Sequence, residues 1–536
     1  MANPFLALES ASYVLPDGRL LFSGLTEQFD LRPTGLVGRN GVGKSVLARL
    51  LAGQLQPSAG RCLRSGSAYY LPQHLPFDAA ATVADLAGVA ATVAALERIE
   101  AGSAAAADFE AVGERWDVRQ RLAQALDQGG LGHLDAHTPA HTLSGGQVLR
   151  VMLAGAFVSD ADFLILDEPS NHLDRSGRAA LAEHMQCWTR GLLLVSHDRA
   201  LLDRMTRTVE LSSLGLKSYG GGYAFYAQHK AAERAGALAQ LDRQKGEQRR
   251  EERALRAQRE RQDRRQARGD RHGREANQAP ILLGRRKERS ESTAGKLRLQ
   301  QAAARDALAA RVREAARQVE QDAPIALHAP AADAGPRRVA VLDAAVLPFG
   351  PPALRQIDWI LTGGQRVGVV GPNGCGKSTL LKLVAGRLAP AAGRCERAVA
   401  TAYLDQSLAD LDPQRTALEH LRAANDREAE DVLRTRLAQA GLDARTIHVP
   451  TGALSGGERL KAALACAIHA DPPAQLLLLD EPSNHLDLAA VEALEMMLRQ
   501  YPGTLVVVSH DDRFLDQLAL TTRLAATPRG WRLAPW

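Results

Sequence analysis

The sequence predicts an α/β protein: two copies of one parallel-sheet module, joined by a basic α-helical segment. Three observations predict it. A set of short motifs occurs twice in the same order. Each copy contains apolar runs that end in paired acids. Between the copies, residues 223–335 are dominated by Arg, Glu, Gln and Ala.

The duplication is read first, because a repeat missed misassigns the whole fold. "GRNGVGKS" at 38–45 returns as "GPNGCGKS" at 371–378, and "YLPQ" at 70–73 returns as "YLDQ" at 403–406, both 333 residues on. "LSGGQ" at 143–147 returns as "LSGGE" at 454–458, 311 residues on. "LDEPSNHLD" at 166–174 recurs unchanged at 479–487, and "SHD" at 196–198 recurs at 509–511, both at 313. The fall from 333 to 311 places a 22-residue surplus in the first copy, and the Ala-rich run 79–107 is where it is expected. At 536 residues the chain is too long for one core. The boundaries read 1–222 for the first module, 223–335 for the charged segment and 336–536 for the second module.

GxxxxGK[ST] is a phosphate-binding loop. Its glycines let the backbone turn so that successive N–H groups face phosphate oxygens, and the helix that follows adds its N-terminal dipole. The set is Gly38, Asn40, Gly41, Gly43, Lys44 and Ser45 in the first copy, and Gly371, Asn373, Gly374, Gly376, Lys377, Ser378 and Thr379 in the second. Lys44 and Lys377 are expected on the β- and γ-phosphates of a nucleotide, Ser45 and Ser378 on Mg2+. A single match also occurs in an ordinary glycine turn before a helix. Two matches in register with four other motifs do not.

"FLILDEP" (163–169) and "LLLLDEP" (476–482) suit central strands buried on both faces. Acids at the carboxyl end of such strands lie where α/β sheets bind ligands. Asp167 and Asp480 are candidate Mg2+ ligands, and Glu168 and Glu481 candidate general bases for an attacking water. His197 and His510 each follow a further apolar run, in place to contact the γ-phosphate. Ser144, Gly145 and Gly146, with Ser455, Gly456 and Gly457, open a second helix per module. That is another phosphate-binding geometry. A module that already has its own loop needs a second one only to serve its neighbour.

At this point the chain resembles the ATP-binding cassette superfamily, over about 1–222 and 336–536. The resemblance implies two ATP molecules sandwiched head to tail, with a monomer pairing its own cassettes. One site would use Lys44, Ser45, Gln73, Asp167, Glu168 and His197, closed by Ser455, Gly456 and Gly457. The other would use Lys377, Ser378, Gln406, Asp480, Glu481 and His510, closed by Ser144, Gly145 and Gly146. Gln73 and Gln406 join the Mg2+ set on the same ground. Both sites retain the acids and histidine expected for hydrolysis. Two departures are visible: Val46 follows Ser45 where the family has Thr or Ser, and the adenine-stacking aromatic is Tyr13 in the first copy but aligns with Ala345 in the second.

Residues 226–273 are strong helix formers with acid–base pairs at helical spacing, such as Glu260 and Arg264. Residues 274–296 break the pattern with Pro280, Gly284 and Gly295, and 297–322 read as a second helix, ended by Pro324, Pro330 and Pro336. A helical hairpin is expected. From 223 to 322 there are 25 Lys+Arg and 15 Asp+Glu, a local +10 within a chain of net +5. Such a segment is commonly a surface for polyanions.

Two cassettes on one chain, a basic helical linker and "DEPSNHLD" in both copies resemble the ABC-F family. The resemblance implies a ribosome-associated ATPase, either a translation factor or a protector against ribosome-targeting antibiotics, whose linker contacts rRNA and tRNA. Arg249, Arg250, Arg253, Arg256, Arg264, Arg265 and Arg268 are the candidate RNA contacts. A transporter ATPase and a nucleic-acid repair ATPase are the alternatives. No apolar run approaches the ~20 residues that span a bilayer. The five scattered cysteines form no CxxC pair, the N-terminus does not read as a secretory signal, and a cytoplasmic protein is expected.

Overall fold

The computed structural model describes residues 4–73, 80–171, 173–275, 302–303, 305–314 and 338–536. The chain divides into two compact units, Met1–Ala224 with Pro324–Trp536, and Phe225–Ala323.

The first unit contains both modules. In each, a six-stranded sheet carries the motifs. The first module orders its strands Ala68–Leu71, Phe163–Asp167, Gly191–Val195, Thr34–Val37, Arg207–Ser212 and Gly215–Gly220. All neighbours are parallel except the last pair. The second module repeats the order with Thr401–Leu404, Leu476–Asp480, Thr504–Val508, Arg366–Val370, Thr522–Thr527 and Gly530–Pro535. Every residue of Phe163–Asp167, Gly191–Val195, Leu476–Asp480 and Thr504–Val508 is buried. Unbroken Leu, Ile and Val runs are what a strand covered on both faces requires.

A three-stranded antiparallel sheet lies beside each: Leu6–Val14 between Leu20–Phe29 and Ala59–Arg64, and Arg338–Val346 between Gln356–Thr362 and Ala392–Arg397. Leu6, Leu8, Phe22, Leu25 and Phe29 from it, Ile165, Leu193 and Val195 from the large sheet, and Leu47, Leu50 and Leu51 from the helix Lys44–Leu51 form one core. This core fixes the start of that helix against the sheet. In the second module Leu342, Trp359, Leu380, Leu381, Leu478 and Val506 play the same part.

A helical subdomain follows Ala68–Leu71 in the first module and Thr401–Leu404 in the second. Thr82 bridges Pro139 in the first and Thr416 bridges Pro450 in the second, so the surplus of the first copy falls between these anchors. There the first module has helices Val83–Leu86, Ala90–Glu100, Ala106–Val112 and Val118–Gln128, against Ala417–Ala424 and Glu430–Gln439 in the second. The surplus builds additional helix, and much of the expected run 79–107 lies within it.

The second unit contains most of a 53-residue helix, Tyr223–Glu275, about 80 Å long. Residues 305–314 are also helical. Leu241 and Leu308 are buried in this unit. The residues expected to make the break, Pro280, Gly284 and Gly295, and the prolines expected to end the second helix lie outside the described residues. Among the described residues no helix is long and apolar enough to cross a membrane. All five cysteines are free.

Candidate functional site

Each phosphate-binding loop ends where its helix begins, at Lys44 and at Lys377. Gly43 and Gly376 cap these helices with φ of 107° and 101°, a left-handed conformation that only glycine adopts without strain. Lys44 Nζ donates to the carbonyl oxygens of Gly38 at 2.8 Å and Arg39 at 3.0 Å, and Lys377 Nζ to those of Gly371 at 2.9 Å and Pro372 at 3.0 Å. The ammonium thus bridges the mouth of its own loop. Burial lowers the affinity of Lys44 for its proton, while the charges of Glu168, Asp487 and Asp167 pull the other way.

A cavity of ≈ 420 Å³ opens over the first loop, lined by Asn40, Gly41, Gly43, Lys44, Ser45, Gln73, Asp167, Glu168 and His197. A second of ≈ 350 Å³ opens over the other, lined by Asn373, Gly374, Gly376, Lys377, Ser378, Thr379, Gln406, Asp480, Glu481 and His510. Gly38 and Gly371 are set back. A Cβ at Gly38 would lie 2.2 Å from the Leu211 carbonyl oxygen, and one at Gly371 would lie 2.7 Å from Ala526 Cβ, so close backbone packing requires both glycines.

The acids sit at the carboxyl ends of their strands as the sheet rule requires. Tyr70 donates to Asp167 Oδ2 at 3.0 Å and Tyr403 to Asp480 Oδ2 at 3.2 Å. These tyrosines belong to the YLPQ and YLDQ motifs, of which only the glutamines drew attention in the sequence. Glu168 and Glu481 are held at φ 48° and 50°, a left-handed backbone that a glutamate rarely adopts. Glu168 Oε1 and Glu481 Oε1 are buried with no hydrogen-bond partner. His197 Nε2 stands 3.5 Å from Glu168 Oε1, and His510 Nε2 stands 3.4 Å from Glu481 Oε1. His510 also meets Asn373 Oδ1 at 3.0 Å.

Burial raises Glu168 above the usual carboxylate range against the opposing pull of Lys44. It pushes Glu481 up to about 7, opposed chiefly by Lys377. Burial holds His197 well below its ordinary value, and burial with the Lys377 and Arg178 charges holds His510 at about 4. A carboxyl raised toward neutrality, on a cavity wall and with one oxygen unpartnered, can take a proton from water. The remaining groups, Ser45, Gln73 and Asp167 with their counterparts Ser378, Gln406 and Asp480, are oxygen donors beside a phosphate-binding loop. That donor set fits Mg2+.

Each cavity is completed by the other module. Asn40 N donates to Asp487 Oδ2 at 2.9 Å and Asn40 Nδ2 to the His485 carbonyl at 2.8 Å. Across the other cavity Asn373 N donates to Asp174 Oδ2 at 3.2 Å. The reaching turn is "SNHLD": Ser483, Asn484, His485 and Leu486 line the first cavity, and Leu173 lines the second. Each of these aspartates also caps the helix that follows it, Asp174 through Gly177 N and Asp487 through Ala490 N, both at 2.9 Å. The turn was conspicuous in the sequence as an identical repeat, yet no role was assigned to it.

The two Ser-Gly-Gly segments are helix starts. Ser144 caps Gly145–Val158 and Ser455 caps Gly456–His469, each in a reciprocal box with Gln147 or Glu458. Neither segment is among the residues lining the cavities. A Cβ on Gly456 would meet the His485 carbonyl at 3.7 Å, which places that segment behind its own module's SNHLD turn. Head-to-tail facing is present, and the turns, not the Ser-Gly-Gly segments, make the contacts.

Tyr13 is placed differently from the sequence expectation. It pairs in register with Phe22, its ring 6.3 Å from the Phe22 ring, and packs against the core. Leu15, Arg19 and Leu21 line the first cavity there. In the second cavity Phe349, 66% exposed, and Gly350 take that position. Phe349 was missed because the alignment put Ala345, a strand residue of the core, opposite Tyr13. An exposed phenylalanine in the "LPFG" loop was the available signal.

Two cavities over glycine-rich loops, each walled by buried acids of one cassette and by a turn of the other, define a tandem-cassette ATPase. The family profile described as ABC transporter matches residues 31–171 and 354–484. The chain is 34% identical over 554 residues to the tylosin resistance ATP-binding protein TlrC of Streptomyces fradiae, covering 93% of this chain and 95% of that one. It is 31% identical over 515 residues to the energy-dependent translational throttle protein EttA of Mycobacterium tuberculosis, covering 90% and 84%. Among solved structures it is similar in fold to RNase-L Inhibitor, with a TM-score of 0.54 and 19% identity over 98% of this chain and 90% of that one. It is likewise similar to archaeal ribosome recycling factor aABCE1, solved in complex with ribosomal stalk protein aP1, with a TM-score of 0.55 and 19% identity over 98% and 89%. The chain belongs to the ABC-F family of ATP-binding cassette proteins and is an ATP hydrolase.

Proposed function

We propose that the chain is a ribosome-acting ATPase whose two ATP sites close the cassettes on each other and whose linker contacts RNA. The arginine face of the long helix carries the RNA part of this reading. Arg249, Arg250, Arg253, Arg256, Arg264 and Arg268 are exposed, whereas the Arg265 side chain lies outside the described residues. At 100° per residue Arg249, Arg253, Arg256 and Arg264 fall within a sector of about 80°. A stripe of guanidinium groups at this density binds phosphate backbones by charge and counterion release, with little sequence preference. Similarity to a translational throttle protein points to the ribosome as the source of that RNA. Similarity to a tylosin resistance protein favours a second reading, protection of the ribosome from a bound drug.

At each site Lys44 or Lys377 leaves its carbonyl partners for the β- and γ-phosphates. Ser45, Gln73 and Asp167, or Ser378, Gln406 and Asp480, would hold Mg2+, which when bound neutralises phosphate charge. Glu168 or Glu481 accepts the proton of the attacking water, and His197 or His510, neutral at pH 7, orients toward the γ-phosphate. ATP draws the cassettes together, and the Ser-Gly-Gly helix starts, one turn behind SNHLD, then reach the opposite phosphates. Hydrolysis removes that bridge.

Deletion of 240–315 tests the linker's part. ATP turnover of the deleted chain is expected to persist while its co-sedimentation with purified ribosomes is lost. Ribosome binding that survives the deletion would refute the linker as the contact.

A further inference from the structure

The two sites are built from a duplicated module, yet one position breaks the symmetry at the interface. The helix after the first SNHLD runs Arg175–Cys187, and the helix after the second runs Leu488–Gln500. Four residues past the capping aspartate stands Arg178 in one and Val491 in the other. Val491 lines the first cavity and Arg178 lines the second, each reaching it from the opposite cassette. The second site therefore receives a guanidinium in trans where the first receives an isopropyl group.

Arg178 is fixed in this place. Its Nη1 donates to Asp198 Oδ2 at 3.0 Å, the two side chains being 19% and 7% exposed. Asp198 follows His197 directly, and Arg178 borders the first cavity through that pair. Asp511, the counterpart of Asp198, caps the helix Asp512–Gln517 through Phe514 N at 3.1 Å. No arginine stands at the Val491 position to pair with it. A single guanidinium thus joins the His197 end of one site to the Glu481 and His510 end of the other, and the reverse link is missing.

We propose that Arg178 is a trans-acting positioning residue of the second ATP site, without a counterpart at the first, so that the two sites turn over unequally. A fixed cation on the wall beside Glu481 and His510 favours negative charge developing on the γ-phosphate, and preorganised charge of this kind acts on the rate of the chemical step. Asp174, which holds the Asn373 amide, lies on the same edge of the first cassette and brings Arg178 into place as the cassettes meet. The second site then receives a guanidinium from the opposite cassette when the cassettes pair, and the first site receives Val491 there instead.

The proposal rests on reading Glu168 and Glu481 as the two bases. The test measures ATP turnover of the full chain in two backgrounds: Glu168→Gln, which leaves the second site working, and Glu481→Gln, which leaves the first. Arg178→Val installs the residue that the second cassette has. It is expected to lower kcat about tenfold in the first background, with KM for ATP within about twofold. In the second background, where Arg178 acts only through Asp198, the loss of kcat should be several-fold smaller, and an unchanged thermal unfolding profile shows that the chain is folded. Arg178→Lys should recover most of the lost rate, since a charge is retained. Equal losses in both backgrounds, no loss at the second site, or failure of lysine to rescue would overturn Arg178 alone. If neither Gln substitution lowers the turnover of the unaltered chain, the assignment of the bases fails and the proposal fails with it.

Discussion

Glu495→Ala should unlock the cassettes from each other. Glu495 lies on the Leu488–Gln500 helix of the second cassette and accepts from Arg199 Nη1 of the first at 2.9 Å. The two side chains are 9% and 8% exposed. The Arg199 guanidinium also stands 5.6 Å from the centre of the Tyr223 ring, whose hydroxyl donates to Glu492 Oε1 at 3.0 Å. Arg199 Nε and Nη2 have no hydrogen-bond partner, so Glu495 is the hydrogen-bonding counter-ion of a buried cation. Removing one member of a buried pair costs about 3–5 kcal/mol, mostly from the stranded charge. Each 1.4 kcal/mol is tenfold, so docking should weaken by about two to three and a half orders of magnitude. The cost is confined to docking, because Arg199 regains water once the cassettes separate. A donor–acceptor dye pair with one dye on each cassette reads this directly. Arg199→Met with Glu495→Leu should restore docking to within about 1 kcal/mol. Asp512→Ala, which breaks the exposed 3.0 Å pair with Arg175, should cost under about 1 kcal/mol. Undiminished docking of Glu495→Ala, or a double variant as weak as the single one, would refute this reasoning.

Phe349→Ala should weaken nucleotide binding at the second cavity by about tenfold or more, as expected from loss of a base-stacking aromatic, measured with a fluorescent ATP analogue. Tyr13→Leu should leave binding at the first cavity nearly unchanged, because Tyr13 packs against the core. His469, buried beneath the second cassette's helices, is held at about 4 chiefly by burial. The unfolded chain takes up that proton near pH 6.5 and the folded chain only near 4. Stability should therefore fall as pH drops through that window and level off below it. In His469→Leu, denaturant titrations should show a shallower fall.

What the sequence made legible is local. The loop-to-helix joins at Lys44 and Lys377, the buried strands ending at Asp167 and Asp480, and the helix Tyr223–Glu275 each follow from periodicity, capping or motif spacing within a short stretch. The catalytic candidates were legible because their types recur at nearly equal distance in both copies. What was not legible depends on how two surfaces meet. Asp174, His485 and Asp487 reach across because the cassettes face each other head to tail, and no single segment encodes that. Tyr13 and Phe349 turn on register: in the antiparallel pairing Tyr13 faces Phe22, so the cavity wall passes to neighbouring residues. The Arg178–Val491 difference was present in the sequence, but it acquires meaning only once both residues are seen on cavity walls.

The central claim is that ATP closure of these cassettes directs the protein to the ribosome. The measurement that tests it most directly is sucrose-gradient co-sedimentation of the Glu168→Gln/Glu481→Gln protein with purified 70S ribosomes, with ATP and with ADP. Co-migration with ATP and release with ADP is the predicted result. Absence of binding in both nucleotide states at low salt would contradict the account.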